Sequence, residues 1–413
     1  MNRDDRKRLW RCVVSWVALC VVGLASCTSP TTPHGVVRAT PHLVSGSVFS
    51  CLLNAAGDAI CWGRWGSVAG DPTASTLPTI VKPLDEAVHF TLLSAGTHTC
   101  GLTAIGEAYC WGQNSYGQLG DGTTAQRPRP IRVQTPARFT SIAAGTYTTC
   151  ALSREGQTYC WGRGDNGALG TGNLNVANGV LTPTAVPTIT PFTNLSGGLA
   201  FCGLTTTGKV HCWGQSGGSF DPGSGEPGAC SNSYYIAFAQ GGCFVPTPVP
   251  GAVTLRTISA NGGPTLCGTS SDGAAYCWGE GWLGTLGDGE QGPGVHAVVP
   301  VPVSGGLRFQ QLTIGATHVC GLTIDNRAVC WGNTFLGYLG NGFSGVQSPP
   351  SAVPVNVSGG LRFANVAAGS YHTCGLTEAG EVWCWGAGAE GQLGRSPQDG
   401  NSSVPIRAQM PQP

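Results

Sequence analysis

One spacing governs this sequence: a cysteine, nine residues, then Cys-Trp-Gly, written seven times. The pairs are Cys51 and Cys61-Trp62, Cys100 and Cys110-Trp111, Cys150 and Cys160-Trp161, Cys202 and Cys212-Trp213, Cys267 and Cys277-Trp278, Cys320 and Cys330-Trp331, and Cys374 and Cys384-Trp385. First cysteines of successive units lie 49, 50, 52, 65, 53 and 54 residues apart. A period near fifty with several short strands per unit predicts a ring of β-propeller blades, and that repetition overrides the usual expectation of two or three domains for 413 residues. The 65 glycines, 28 prolines and 10% charged residues suit a turn-dense all-β chain.

The second unit shows the local physics. Leu92 to Ala95 reads as a short apolar strand turned by Gly96, and His98 to Thr103 as the next. Thr103-Ala104-Ile105-Gly106-Glu107 makes a hairpin loop, and Ala108 to Trp111 returns. Cys100 and Cys110 are equidistant from Ile105, so an odd-length loop with glycine at its left-handed position sets them opposite each other. An opposed antiparallel pair brings two Cα atoms to about 4.5–5.5 Å, within the reach of a disulfide. Alternation places Leu102 and Ala108 on the cysteine face and Tyr109 and Trp111 on the other, so both faces are apolar. A sheet apolar on both faces must be covered on both, which radial stacking achieves. The expected fold is therefore an all-β seven-bladed propeller over residues 41–410, with four-stranded antiparallel blades and one disulfide per blade. Closing each eleven-residue loop is worth about 2.7 kcal/mol at most. Zinc sites want cysteines two to four residues apart, unlike these. The tail Val404-Pro405-Ile406-Arg407-Ala408 resembles Pro130-Ile131-Arg132-Val133 and Pro354-Val355-Asn356-Val357, and is expected to pair at the seam between the first and last blades.

Location follows from the N-terminus. Arg3, Arg6, Lys7, Arg8 and Arg11 precede an apolar run from Cys12 to Leu24, an export-signal pattern too short to span a bilayer comfortably. Leu24-Ala25-Ser26-Cys27 resembles the lipobox of bacterial lipoproteins, which implies a signal peptide over 1–26, lipid attachment at Cys27, a linker over 27–40 and residence in the bacterial cell envelope, outside the cytoplasm. The alternative is an uncleaved anchor helix. Either way the body meets an oxidising compartment, where disulfides persist. Removing residues 1–26 leaves 16 basic against 19 acidic residues, and no basic face for nucleic acid.

After Trp-Gly, five units continue with Gly-x-Leu-Gly: Gly117 to Gly120, Gly167 to Gly170, Gly284 to Gly287, Gly337 to Gly340 and Gly391 to Gly394. The last unit runs Gly369-x-x-His372, then Gly380-Glu381-Val382-Trp383-Cys384-Trp385-Gly386. The sequence resembles the regulator of chromosome condensation repeat family, which implies a seven-bladed propeller. That family's activities differ widely: its nuclear founder is a guanine-nucleotide exchange factor for a small GTPase, and a secreted bacterial member inhibits β-lactamases. Fold does not choose among them, and an export signal argues against meeting a cytosolic GTPase. The first and fourth units lack Gly-x-Leu-Gly.

Chemistry-bearing constellations are few. His98, His318 and His372 each stand two residues before a first cysteine and read as structural hydrogen-bonders rather than metal ligands. Asp121, Asp165, Asp272 and Asp288 read as turn residues, since calcium loops want several alternating carboxylates. Zinc-protease and phosphate-loop motifs are missing, so the expectation is a non-enzyme without cofactor or metal. The longest unit, between Cys212 and Cys267, adds a further expected disulfide, Cys230 with Cys243, around Tyr234, Tyr235 and Phe238. Together with Trp65, Tyr116, Trp282, Phe335 and Tyr338, which follow other Trp-Gly steps, these aromatics are the candidate binding residues. The expected role is that of a monomeric, lipid-anchored scaffold that binds a protein or glycan, with an enzyme inhibitor as the alternative.

Overall fold

Each Cys-x9-Cys segment is a two-stranded antiparallel hairpin in the computed structural model, with its cysteines in register: Cys51 faces Cys61, Cys100 faces Cys110, and so on round the ring. All seven pairs are disulfides, with Cα atoms 4.0–4.1 Å apart, slightly closer than the generic pair spacing. The structure describes residues 39–64, 76–83, 87–164, 167–173, 179–188, 190–215, 242–260, 263–345 and 347–411. The export signal, Cys27, Trp65, Cys230, Tyr234, Tyr235 and Phe238 lie outside the described residues, as does the side chain of Cys243.

Seven four-stranded sheets form, each from strands consecutive in sequence. In the second blade these are Phe90–Ala95, His98–Thr103, Ala108–Gly112 and Arg127–Arg132. First strands of neighbouring blades touch in a closed circle, so they line the axis and fourth strands form the rim. The rim strands carry Pro128 and Pro130, Pro183, Pro300, Pro354 and Pro405, because an outer edge leaves one side of the backbone unpaired and proline tolerates that side. The C-terminal strand corrects one expectation. Ser402–Arg407 pairs with Val382–Gly386 as the rim strand of its own blade and crosses no seam. Each unit already supplies four strands, so the seam needs none lent, and side chains close it instead.

Those side chains follow one rule. Each disulfide shares an apolar cluster with the tryptophan of the next blade: Cys100 and Cys110 with Trp161, Cys320 and Cys330 with Trp385, and, across the seam, Cys374 and Cys384 with Trp62. Leu102 and Ala108 share the cysteine cluster while Tyr109 and Trp111 lie in the cluster on the other side, as alternation requires. The Gly-x-Leu-Gly loop receives that tryptophan. Its leucine is buried, as in Leu119 and Leu393. Its second residue accepts from the indole N–H: Trp161 donates to the Gln118 carbonyl at 2.9 Å, Trp331 to Thr285 at 2.9 Å, Trp385 to Tyr338 at 3.0 Å and Trp62 to Gln392 at 3.0 Å. Its last glycine leaves room for the ring, since a Cβ on Gly120 would stand 2.7 Å from the Trp161 indole nitrogen. Trp111 and Trp278 have buried indole N–H groups without a partner among the described residues, and they follow the two units that lack the motif.

At the axis, the turn between first and second strands carries a glycine whose Cβ would strike the next blade's backbone. Gly96 meets the Gly145 carbonyl, Gly145 that of Gly198, Gly315 that of Gly369, and Gly369 that of Gly46. Short polar side chains cap the first strands' free edges across blades. Ser94 accepts from the Ala144 N–H at 2.9 Å, Ser196 from Ala260 at 2.8 Å, Thr313 from Ala368 at 2.9 Å, and Asn365 from Leu43 at 2.7 Å across the seam. An inner edge that would otherwise bury unpaired donors is thereby satisfied.

Candidate binding face

Antiparallel order puts the loops after Trp-Gly and the first-to-second strand turns at one end of every blade. The disulfide-bearing hairpin tips and the links between blades lie at the other. The first end's axial turns hydrogen-bond in sequence round the ring, with Ser47 N–H donating to Gly96 at 3.0 Å and Thr146 to Gly198 at 3.0 Å. Every described candidate aromatic lies at this end. Trp282 is 51% exposed and Phe335 45%. Tyr116 is half-buried, 5.3 Å from Tyr147 of the next blade, with the Arg163 guanidinium 5.2 and 5.6 Å above the two rings. Tyr338 is only 4% exposed: it stacks on His318 at 5.4 Å and packs between blades rather than facing solvent. Burial pushes its phenol pKa up to about 12, with Tyr371 adding to the effect.

Two exposed aromatics escape a sequence reading, Phe343 at 64% and Tyr371 at 44%. Phe343 trails its Gly-x-Leu-Gly loop, and Tyr371 sits within Gly369-x-x-His372, where blade three also places an aromatic, Tyr147. Among the described residues, Trp282, Phe335, Phe343 and Tyr371 are the exposed large aromatics, and all four stand at this end, on blades five, six and seven.

The opposite end is charged and self-paired. Glu107 accepts from Arg132 at 2.7 Å and Arg138 at 3.0 Å, Asp325 pairs with Arg327 at 2.6 Å, Asp272 with Arg308 at 3.3 Å, and Glu381 with Arg407 at 3.0 Å. The aspartates behave as turn residues. Asp121 accepts from the Thr123 N–H and hydroxyl and pairs with Arg127 at 3.0 Å. Burial works to raise its carboxyl pKa, but the Thr123 and Arg127 hydrogen bonds outweigh it and hold the group below its ordinary value. Asp165 lies outside the described residues.

The three histidines meet hydroxyls at distances a general base would need. His98 Nε2 lies 2.6 Å from Thr149 Oγ1, His318 Nε2 2.8 Å from Thr373 Oγ1, and His372 Nε2 2.8 Å from Ser50 Oγ. In each case the hydroxyl belongs to the next blade, both partners are fully buried, and the other ring nitrogen has no partner to orient it. A nucleophile needs access and an oriented base, so these pairs join blades rather than attack substrates. No group of three or more His, Cys, Asp or Glu gathers into a metal-binding cluster among the described residues.

Residues 106–152, 155–204 and 379–412 match the Regulator of chromosome condensation (RCC1) repeat, and a second form of that repeat matches 139–168 and 363–392. Those stretches of the chain are similar to RCC1 repeats. The Ultraviolet-B receptor UVR8 of Arabidopsis thaliana is 30% identical over 142 residues, 34% of this chain and 31% of the receptor. The mitochondrial RCC1 domain-containing protein RUG3 of the same plant is 29% identical over 192 residues, 46% of this chain and 41% of that protein. The chain thus covers well under half the length of these relatives. Among solved structures, Prp20p from Saccharomyces cerevisiae superposes with a TM-score of 0.70 at 19% identity, over 91% of this chain and 87% of that one. Human WBSCR16 gives 0.64 at 20% identity, over 80% and 85%. Both share the propeller fold of this chain.

Proposed function

We propose that this protein is an exported, lipid-anchored propeller that binds a protein partner on its aromatic end and acts by binding rather than turnover. The observation that carries the reading is the gathering of Trp282, Phe335, Phe343 and Tyr371 on one end of three consecutive blades, opposite an end whose charges are paired among themselves. Exposed aromatics on a rigid frame bury large apolar area at small entropic cost, which makes them natural anchors for a partner. Prp20p, similar in fold, has binding properties toward Gsp1p and histones, so a ring of this kind suits protein recognition. Seven disulfides support an oxidising location, and the pattern before Cys27 supports anchorage there.

The test is capture from the native envelope by wild type and by a variant carrying W282A, F335A, F343A and Y371A. The variant should melt as wild type does while affinity for the captured protein falls at least about tenfold, roughly one anchor's worth. Undiminished affinity moves the site elsewhere, and selective retention of glycans in a parallel array replaces a protein partner with a carbohydrate. Mass analysis of the mature N-terminus checks the anchor: a chain beginning at Met1 rather than at an acylated Cys27 removes it. Turnover of peptides, glycans or nucleotides by the purified protein would make it an enzyme.

A further inference from the structure

The residue two before the first cysteine is a histidine in blades two, six and seven, and Phe49, Thr148, Ala200 or Thr265 in the others. Each such histidine reaches into the following blade. His318 therefore ties blade six to blade seven, and His372 ties blade seven to blade one across the seam. Blade seven is thus the one blade held on both sides by a buried imidazole, and on its blade-one side no backbone runs on to the neighbour.

The hydrogen bonds fix which nitrogen carries the proton. Ser45 donates to the Ala367 carbonyl at 3.2 Å, so Ser50 donates to Ser45 at 2.8 Å and must accept from His372 Nε2–H. Thr373 lies 3.6 Å from Cys320 Sγ, a disulfide sulfur with no proton to give, so Thr373 donates there and accepts from His318 Nε2–H. The remaining nitrogen, Nδ1, is in both cases buried without a partner. His318 Nδ1 lies against Gly315 and His372 Nδ1 against Gly369, the glycines of their own turns. A second proton would therefore create a buried cation and a donor with no acceptor.

Only the Phe49 backbone, beside His372, partly offsets that charge. Facing His318 are the Tyr338 ring, the Thr373 hydroxyl, a disulfide sulfur and His372. Facing His372 are Ser50, Ser45, the Phe49 backbone and His318. No carboxylate pairs with either imidazole among the described residues, and the Arg64–Glu390 pair across the same seam, at 3.2 Å, is exposed. Burial lowers both pKa values to about 3; for His372 the His318 charge lowers it further and the Phe49 backbone opposes, as the lesser influence.

We propose that blade seven is an acid-releasable segment of the ring, latched on both flanks by His318 and His372 and freed when these imidazoles take up protons. Stability from these groups is complete above the ordinary imidazole value near 6.5 and is lost as pH falls towards about 3, because the opened state binds protons that the closed state refuses. Two refused protons make the opening constant rise about 100-fold per pH unit well below 6.5. Blade seven carries Tyr371, so its release takes one aromatic from the face described above, although the latch itself does not depend on that face binding anything.

Hydrogen exchange on the intact, disulfide-bonded protein between about pH 7 and about pH 5, corrected for intrinsic rates, reads the opening directly and stays above the range where carboxylates protonate. Amides of 363–407 should lose protection by roughly 600-fold in total across that window, most of it below about pH 6, while those of blade five, with Thr265 at the histidine position and Ala200 in the blade before it, hold theirs. The double variant H318Q and H372Q keeps a donor without a titrating group and should flatten the response. Equal loss in blades five and seven, or an unflattened response in the double variant, overturns the proposal. Should the double variant not fold, H372F, which copies Phe49 of blade one, should reduce the loss across the same window to roughly 25-fold, and an unchanged loss overturns the proposal equally.

Discussion

At the charged end of the ring all seven hairpin tips have one length, because Cys-x9-Cys fixes it. Between third and fourth strands, by contrast, the chain runs from 14 residues between Gly112 and Arg127 to 26 between Gln215 and Gly242. The difference teaches where this fold is free to change. An extra residue in a hairpin tip would turn one cysteine to the wrong face and break the disulfide, whereas an extra residue late in the loop, past the Gly122 N–H that donates to the Leu181 carbonyl of the next blade at 3.1 Å, leaves that contact in place. Yet the aromatic end is also where backbones crowd at the axis, so its outer loops tolerate change and its inner turns do not.

The sharpest way to test that contrast is with two glycines. Gly96→Ala places a methyl into the Gly145 carbonyl, backbone that cannot swing aside, and should cost about 4 kcal/mol or prevent folding. Gly156→Ala, at a charged-end tip with open space around it and φ of 84°, should cost only about 1–2 kcal/mol for the left-handed backbone. Equal costs in denaturant melts would dissolve the distinction between crowded hub and open tip.

Next in size, replacing Cys320 and Cys330 together by Ala should cost about 2–5 kcal/mol. The loss should appear as a lowered denaturation midpoint, and an unchanged midpoint would mean that the hairpin holds its register without the bond. A smaller effect separates the tryptophans. Trp161→Phe leaves the buried Gln118 carbonyl without its indole donor, whereas Trp111 has no partner among the described residues, so the first change should cost about 1 kcal/mol more than the second. Least of all, Glu107→Gln at the charged end should shift stability by about 1 kcal/mol or less, and by less still in high salt, since its pairs with Arg132 and Arg138 lie near the surface. A large, salt-independent loss there would show that the charged tips do more than stay soluble.

The candidate face was legible only in part. Trp282 and Phe335 could be picked out as aromatics after Trp-Gly, but Tyr338 follows Phe335 by three positions in the same loop and is swallowed between blades. Gly337 turns the chain between them, and no periodicity inside an irregular loop says which ring goes under. The histidines read correctly as structural, yet their partners lie 51 residues ahead, or 322 back across the seam, and no local pattern reaches that far. The terminal strand was misplaced for the same reason: its resemblance to the rim strands was visible, its neighbour was not.

The spacing of the cysteines alone determined the blade count, the hairpin register and the disulfides, because residues ten apart on one hairpin can meet in only one way. Only the assembled ring decided which aromatics face solvent, where Gly-x-Leu-Gly sends its free carbonyl, and that glycine is a steric necessity at axial turns such as those of Gly96, Gly145, Gly315 and Gly369. Those are contacts between blades some fifty residues apart, and they exist only once every neighbour is in place.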